Sequence, residues 1–332
     1  MTSKINTTLL SIMLITYALA QQQSSSTNDH QFDQHRTQDF EPEIINIQED
    51  PLQQDEESRH LIGYPKFRIA TDFTYLTAGT DEFKTYIKTQ LVPSVVSYFN
   101  AALKIKKPLM SPIQFTASSI CGFDTPQALK DGIKADIFVI IYSKEDTTGG
   151  WMAATTSCAL ASDNNRPIVV KIGINTFAIG TASADTNPLT HDLYLNTISH
   201  EFIHALAMNG VYFKYFVDKN GNTLTNHVKK MDIGGTIRNV IDLEPLTTRL
   251  RNFYGCPTIP GMFMENDSSM AHIEKRFFQH EVMASGGSIG SKISEFSLAF
   301  LEGSGWYVPD YSYAEPYYFG QGQGCGFIDE RW

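Results

Sequence analysis

The sequence predicts an α+β fold with two lobes. Residues 61–210 should form an α/β N-terminal lobe with a mixed sheet and one long helix. Residues 211–332 should form an irregular C-terminal lobe stapled by disulfides. Three observations predict this. Apolar runs of strand length alternate with helical spacing up to residue 210, the pattern then loosens into Gly-, Pro- and Tyr-rich loops, and the chain holds four cysteines. With 332 residues, 42% of them hydrophobic, the chain can bury a substantial core.

Residues 1–20 have the pattern of a signal peptide. Lys4 precedes an apolar run from Leu9 to Ala20, and Ala18 and Ala20 form a small-residue cleavage pattern. A buried N-terminal helix is the alternative. No later segment is apolar enough to span a bilayer, and the C-terminal stretch GQGQGCGFIDERW carries no lipid-anchor signal. We therefore expect a secreted or cell-surface protein.

Residues 21–60 are rich in Gln, Asp, Glu and Ser and contain few large apolar side chains. Such a stretch cannot bury a core of its own. It is either a propeptide or a disordered leader, and both readings stay open. The stretch contains no cysteine that could block a metal as a thiolate.

The N-terminal lobe opens near Tyr64 with FRIATDFTYL, whose alternation predicts a strand. Asp81–Ile105 has helical spacing, in which Pro93 either kinks the helix or starts a second segment. The remaining predicted strands of this lobe are Ala135–Ser143, Gly149–Ser162 at an edge of the sheet, and Ile168–Phe177. A helix that carries His200 follows.

The C-terminal lobe shows helical patterns at Leu243–Phe253 and Lys292–Trp306, with loops between and beyond them and no predicted sheet. Asn266 lies in an N-glycosylation sequon, NDS, which predicts a surface loop if it is used.

An even number of cysteines in an exported chain indicates two disulfides, for which three pairings are possible. Proximity in sequence and lobe favours the pairing of Cys121 with Cys158 and of Cys256 with Cys325. None of them forms a CxxC pair, which argues against a cysteine zinc site.

The formal net charge of −10 argues against a nucleic-acid partner, because the phosphates would be repelled. We expect protein or peptide partners and a monomeric chain, and we leave peripheral membrane or cell-surface association open.

The stretch TISHEFIHALAMNG, residues 197–210, contains the HExxH pattern. His200 and His204 lie one helical turn apart, so their rings can point at one ion. Glu201 lies about 100° round the helix from His200, beside the ion without ligating it, where a general base would stand. The helix should start at Asn187-Pro188 and bury an apolar face that is formed by Leu195, Ile198, Phe202 and Leu206.

HExxH alone is a weak signal, because a catalytic zinc also needs a third protein ligand and an open position for water. Residues 268–287, SSMAHIEKRFFQHEVMASGG, resemble the corresponding stretch of leishmanolysin-type peptidases, which are metzincins with a long insertion before the third ligand. RNFYGCPTIPGMFMEN and SEFSLAFLEGSGWY resemble further stretches of that family, and the resemblance covers roughly Phe67 to Cys325.

The resemblance implies a metzincin-type zincin with an active-site helix and one Zn²⁺. On this pattern His200, His204 and His272 are the metal ligands, Glu201 is the catalytic base and Met283 forms the Met-turn. Each has a plainer reading: the helix histidines could be surface residues, and Met283 could fill the core. His280 is the alternative third ligand.

This chain departs from the family pattern at several positions. Ala207 stands where metzincins have a glycine, which predicts that the helix runs on, to Gly210. Ile273 replaces a tryptophan, and Ser285 replaces the tyrosine that some metzincins use to stabilise the transition state. The sequence ends at Trp332, before the cysteine-rich region into which members of the family usually continue.

These residues predict a secreted zinc endopeptidase that binds extended substrate along the edge strand Gly149–Ser162. The main alternative is a catalytically inactive cell-surface adhesion protein that retains the fold. A third reading is an unrelated intracellular helical protein with a chance HExxH. We read His191 as structural or exposed, and the histidines of residues 21–60 as solvated.

Overall fold

The structure is a computed structural model, and it describes residues 42–45, 63–184, 186–233, 235–266, 269–286 and 288–329. The predicted signal peptide and most of residues 21–60 lie outside the described residues. The strands are β1 (Glu43–Ile45), β2 (Ile69–Asp72), β3 (Leu103–Ile105), β4 (Ser119–Ile120), β5 (Phe123–Asp124), β6 (Ile137–Lys144), β7 (Ala153–Ala161), β8 (Pro167–Asn175), β9 (Val228–Ile233), β10 (Thr236–Ile241), β11 (Met262–Met264) and β12 (Tyr307–Pro309). The helices are α1 (Asp81–Tyr86), α2 (Val92–Ala102), α3 (Gln127–Asp131), α4 (Thr176–Ile179), α5 (Pro188–Leu206), α6 (Gly210–Phe213), α7 (Glu244–Tyr254), α8 (Glu295–Gly303) and α9 (Gly324–Asp329).

A five-stranded mixed sheet in the order β1-β7-β8-β6-β2 forms the N-terminal lobe. Strands β2, β6 and β8 are parallel, whereas β7 runs antiparallel to β8. The apolar runs that predicted β6 and β8 are almost completely buried, as expected for strands covered on both faces. The mixed sheet expected from the sequence is confirmed.

Strand β1 belongs to the polar stretch that precedes the lobe. It pairs parallel with the C-terminal end of β7, and Glu43 lies opposite Ala159. These three residues are therefore ordered against the sheet, which a wholly disordered leader would not be. The predicted edge strand is covered at residues 159–161, and among the described residues it is an edge only at 153–158.

The long helical stretch of the N-terminal lobe begins at Asp81, where the Thr80 hydroxyl caps it by accepting from Phe83 N. It passes through a π-helical turn, Ile87–Leu91, into α2. Pro93 lies in the first turn of α2, a position that proline tolerates, so it starts the second segment as one of the two predictions allowed.

An ion pair with a buried carboxylate joins the residues that immediately precede β2 and β6. Asp136 is fully buried, and its carboxylate accepts from Arg68 Nε at 2.8 Å, Arg68 Nη2 at 2.9 Å and Leu109 N at 2.9 Å. The bidentate geometry and the extra amide satisfy the charge where no water can reach it.

The C-terminal lobe differs from the prediction, because β9, β10 and β11 form a three-stranded antiparallel sheet. Strand β9 reads VKKMDI and is half-exposed, so it lacks the apolar run that marks β6. The residues between β9 and β10 are both glycines, and Gly235 has a φ of 78°. That pair was the available sequence signal for a hairpin.

Both predicted disulfides are confirmed. Cys121 is bonded to Cys158 on β7, and Cys256, just after α7, is bonded to Cys325 on α9. The predicted helices of the C-terminal lobe are α7 and α8. Within the part of the chain that the structure describes, no helix has the length and hydrophobicity needed to cross a membrane.

Candidate metal centre

Helix α5 carries the HExxH residues and begins where the sequence predicts. The Asn187 side chain caps it by accepting from Leu189 N at 2.9 Å, and Pro188 occupies the first turn. Ile198, Phe202 and Leu206 are buried, and the Phe202 ring stacks on Phe99 of α2 with centroids 6.0 Å apart. The helix is thereby fixed to the core on the side away from the histidines.

The expectation that α5 runs on to Gly210 is wrong. The helix ends at Leu206, and Ala207 takes a φ of −162°, an extended backbone angle that needs no glycine. The chain turns at once, and His204 Nδ1 lies 2.6 Å from the carbonyl oxygen of Met208. Gly210 begins α6 instead, which the Asn209 side chain caps.

Three histidine rings meet beside the face of α5 that carries His200 and His204. Their Nε2 atoms are 2.8 Å apart for His200 and His204, and His272 Nε2 is 3.2 Å from each of the other two. His204 and His272 are buried, whereas His200 is half-buried. The loop that follows β11 thus brings His272 back across 68 residues of sequence to the helix.

The hydrogen bonds of two rings fix which nitrogen carries the proton. His200 Nδ1 lies 2.7 Å from the carbonyl oxygen of Val282, and His204 Nδ1 has the Met208 carbonyl as its partner. A carbonyl only accepts, so both Nδ1 atoms donate and both Nε2 atoms present lone pairs to each other. Lone pairs about 3 Å apart repel unless a cation lies between them.

The residues present fit a zinc ion. Zinc bound by three imidazoles at about 2.0–2.1 Å in tetrahedral geometry needs Nε2 atoms about 3.3 Å apart. The observed separations are 2.8, 3.2 and 3.2 Å. The carbonyl partners at Nδ1 are the outer contacts that orient metal-binding histidines. Three nitrogen ligands also leave one position open, as catalytic sites do.

The other histidines that the sequence raised lie elsewhere. His280 is exposed, and its ring packs edge-on against Phe319, so it does not join the group. His191 Nδ1 is hydrogen bonded to the hydroxyl of buried Tyr86 at 2.5 Å, in keeping with a structural role.

A short turn, residues 281–284, supports two of the three histidines. The Val282 carbonyl orients His200, and the Met283 carbonyl accepts from the amide of Ile273, the residue after His272. Met283 itself is fully buried. The turn therefore ties the backbone next to the third histidine to the ring of the first.

Glu281 anchors this turn. Its carboxylate accepts from Met283 N at 2.7 Å, from Ser297 Oγ at 2.5 Å and from Ser294 Oγ at 3.1 Å. Burial raises the pKa of Glu281 to about 7, although these hydrogen bonds lower it. Glu281 was not predicted as a site residue, and its place two residues before Met283 was the only sequence signal.

Glu201 is buried between α5 and strand β7. Its Oε2 accepts from the Thr155 hydroxyl at 2.7 Å, and the same hydroxyl lies 2.9 Å from the Glu201 carbonyl oxygen. Thr155 was not predicted as a site residue, because no spacing rule links residues 46 positions apart.

A family model described as leishmanolysin matches residues 20–332. A leishmanolysin of Leishmania donovani is 28% identical over 273 residues, which cover 80% of this chain and 43% of that protein. A leishmanolysin-like peptidase of Caenorhabditis elegans is 23% identical over 331 residues, which cover 75% of this chain and 49% of that protein. The chain spans about half the length of these relatives or less.

Proposed function

The chain belongs to the leishmanolysin family, and from that premise we propose that it is a secreted zinc-dependent endopeptidase acting on proteins or peptides. The family suggests a metallopeptidase, and its members are zinc-dependent. The observation that carries the proposal is the convergence of three Nε2 atoms, two of which, in His200 and His204, are left as acceptors by the carbonyl partners at Nδ1.

His200, His204 and His272 would hold the zinc ion, and Met283 would form the Met-turn that supports the site. When bound there, zinc lowers the pKa of water and polarises the scissile carbonyl. Glu201 is the general base: it accepts a proton from the attacking water and returns it to the amine that leaves. Its burial against β7 excludes bulk water from that exchange.

Extended substrate would pair with the part of β7 that β1 does not cover, residues 153–158. Thr155 lies on that segment and contacts Glu201, so a peptide paired there would pass beside the base. This supports the predicted edge strand as the substrate strand.

Residues 21–60 would be a propeptide. Strand β1 lies in this stretch and occupies the far end of β7, the strand that we assign to substrate. Removal of the stretch would expose the whole edge of β7. Export would follow from residues 1–20, and the two disulfides fit an oxidising compartment.

The test uses the secreted chain and the Glu201→Gln variant, with casein cleavage and zinc content measured on both. We expect cleavage by the wild-type chain that 1,10-phenanthroline abolishes and zinc restores. Glu201→Gln should retain zinc and lose cleavage. A zinc-loaded wild-type chain that cleaves nothing would instead support the inactive adhesion protein.

A further inference from the structure

We infer that Thr155 is a positioning residue that holds the Glu201 carboxylate in place for proton transfer. The inference rests on the proposed function, because it assigns a role within that reaction. It adds a residue from the sheet to a site whose other members come from α5 and the loop after β11.

The geometry makes Thr155 a double contact to one residue. Its hydroxyl lies 2.7 Å from Glu201 Oε2 and 2.9 Å from the Glu201 carbonyl oxygen. A hydroxyl carries one proton, which these two acceptors share. Thr155 therefore fixes the Glu201 side chain relative to the backbone of α5 and fixes both relative to β7.

The position of the hydroxyl is itself determined by the sheet. Thr155 lies opposite Ile172 of β8 in the paired part of β7. Side chains alternate along a strand, so Thr155 shares a face with Ala153 and Ser157, which are buried. A β-branched side chain in a strand has few allowed rotamers, so the hydroxyl is held without help from solvent.

This fixed contact suits the task of a general base. A glutamate has three side-chain torsions, whereas proton transfer needs the carboxylate within hydrogen-bond reach of the water, at about 3 Å. Thr155 engages Oε2 of this carboxylate and so restricts where the carboxylate group can lie. A carboxylate misplaced by about 1 Å can cost on the order of 100-fold in rate.

A purely structural role is the competing explanation, because the bond to the Glu201 carbonyl oxygen also ties α5 to the sheet. The two roles differ in what they predict for Thr155→Val, which keeps the shape and removes the hydroxyl. A structural role lowers stability and zinc content, whereas a positioning role lowers kcat in the zinc-loaded chain.

The matched control is Thr247→Val on α7. The Thr247 hydroxyl also donates to a carboxylate, Asp242 Oδ1, at 2.9 Å; Thr247 is buried and Asp242 is half-buried. Its loss removes the same kind of hydrogen bond in a different part of the fold. It should lower the melting temperature and leave kcat unchanged.

Steady-state kinetics on a fluorogenic peptide, zinc content and melting temperature are measured for wild type, Thr155→Val, Thr155→Ser and the control. We expect Thr155→Val to lose roughly 10- to 100-fold in kcat, with KM and zinc content unchanged. Thr155→Ser keeps the hydroxyl and should recover kcat to within about threefold of wild type. If Thr155→Val does not fold, Thr155→Ala replaces it with the same expectation.

A crystal structure of metal-free Thr155→Val protein gives a readout independent of turnover. We expect the Glu201 carboxylate to leave its wild-type position or to occupy more than one conformer. A kcat within twofold of wild type, a loss of kcat that parallels zinc loss, or an unmoved carboxylate would each overturn the inference. Failure of the proposed function is distinct, since Glu201→Gln would then match wild type.

Discussion

The buried carboxylate of Glu281 makes the stability of this protein depend on pH, and Glu281→Gln should remove that dependence. The carboxyl group is almost completely buried in the turn formed by residues 281–284, where desolvation raises its pKa from 4.5 to about 7. Burial, and to a lesser extent the charge of Glu281, raises the pKa of Tyr98 and of Tyr317.

The sign follows from the raised pKa. Folding favours the protonated carboxyl, so its contribution is fully present below pH 4.5, falls as the pH rises and is lost above about pH 7. The difference between the ordinary pKa of 4.5 and the folded-state pKa of about 7 is worth about 3 kcal/mol, at about 1.4 kcal/mol per pKa unit. Between pH 5 and pH 7.5 the loss should be about 2 kcal/mol.

The assay is urea unfolding of the metal-free protein with its disulfides intact, at pH 5 and pH 7.5. Other groups titrate in this range, and the difference between wild type and variant isolates Glu281. We expect the free energy of unfolding to fall by about 2 kcal/mol more in wild type than in Glu281→Gln. Glu295→Gln, which removes a half-exposed carboxylate on α8, should keep the wild-type pH dependence. Equal pH dependence in wild type and Glu281→Gln would refute the reasoning.

Three further variants test contacts that stabilise the fold around the site. Replacing Cys256 and Cys325 by serine opens a link across 69 residues and should lower the free energy of unfolding by about 4 kcal/mol; a loss under about 1 kcal/mol would contradict this. Asp136→Ala removes the acceptor of the buried Leu109 amide and the partner of half-exposed Arg68, so it should cost about 1–3 kcal/mol by the same urea titration; near-wild-type stability would argue against this account. Gly305→Ala puts a Cβ 2.2 Å from the carbonyl oxygen of Val217 at a φ of 80°. Gly286→Ala has a similar φ of 73° and meets only Lys275 Nζ, at an ordinary contact distance of 3.6 Å, so Gly305→Ala should lower the melting temperature further; equal shifts would contradict the clash.

Much of the N-terminal lobe is predictable because two of its strands, β6 and β8, are buried on both faces. The stretches 135–143 and 168–177 are continuous apolar runs, and they fold as β6 and β8. The start of α5 is predictable from local interactions, because the Asn187 side chain caps the helix and Pro188 has a fixed φ that suits the first turn. The disulfides followed from proximity within each lobe.

The remaining features depend on contacts between distant residues. Strand β9 is half-exposed and carries lysines, so periodicity does not distinguish it from a loop. The end of α5 was wrongly predicted at Gly210 because a glycine is only one of the ways in which a helix can end. Here the extended backbone at Ala207 ends it instead. Only the family resemblance, and no spacing rule, placed His272 beside α5. Neither spacing nor the family resemblance indicated Thr155, since its contact with Glu201 depends on how β7 packs against the helix.

The convergence of His272 on the two helix histidines is tested most directly by zinc content after dialysis against a weak chelator, for wild type and His272→Ala. We predict one zinc per wild-type chain and none retained by His272→Ala. His280→Ala, which alters the exposed histidine outside the group, should keep the wild-type value. Equal melting temperatures of the metal-free proteins would show that the fold is intact. Retention of a full zinc equivalent by His272→Ala would contradict the three-histidine site.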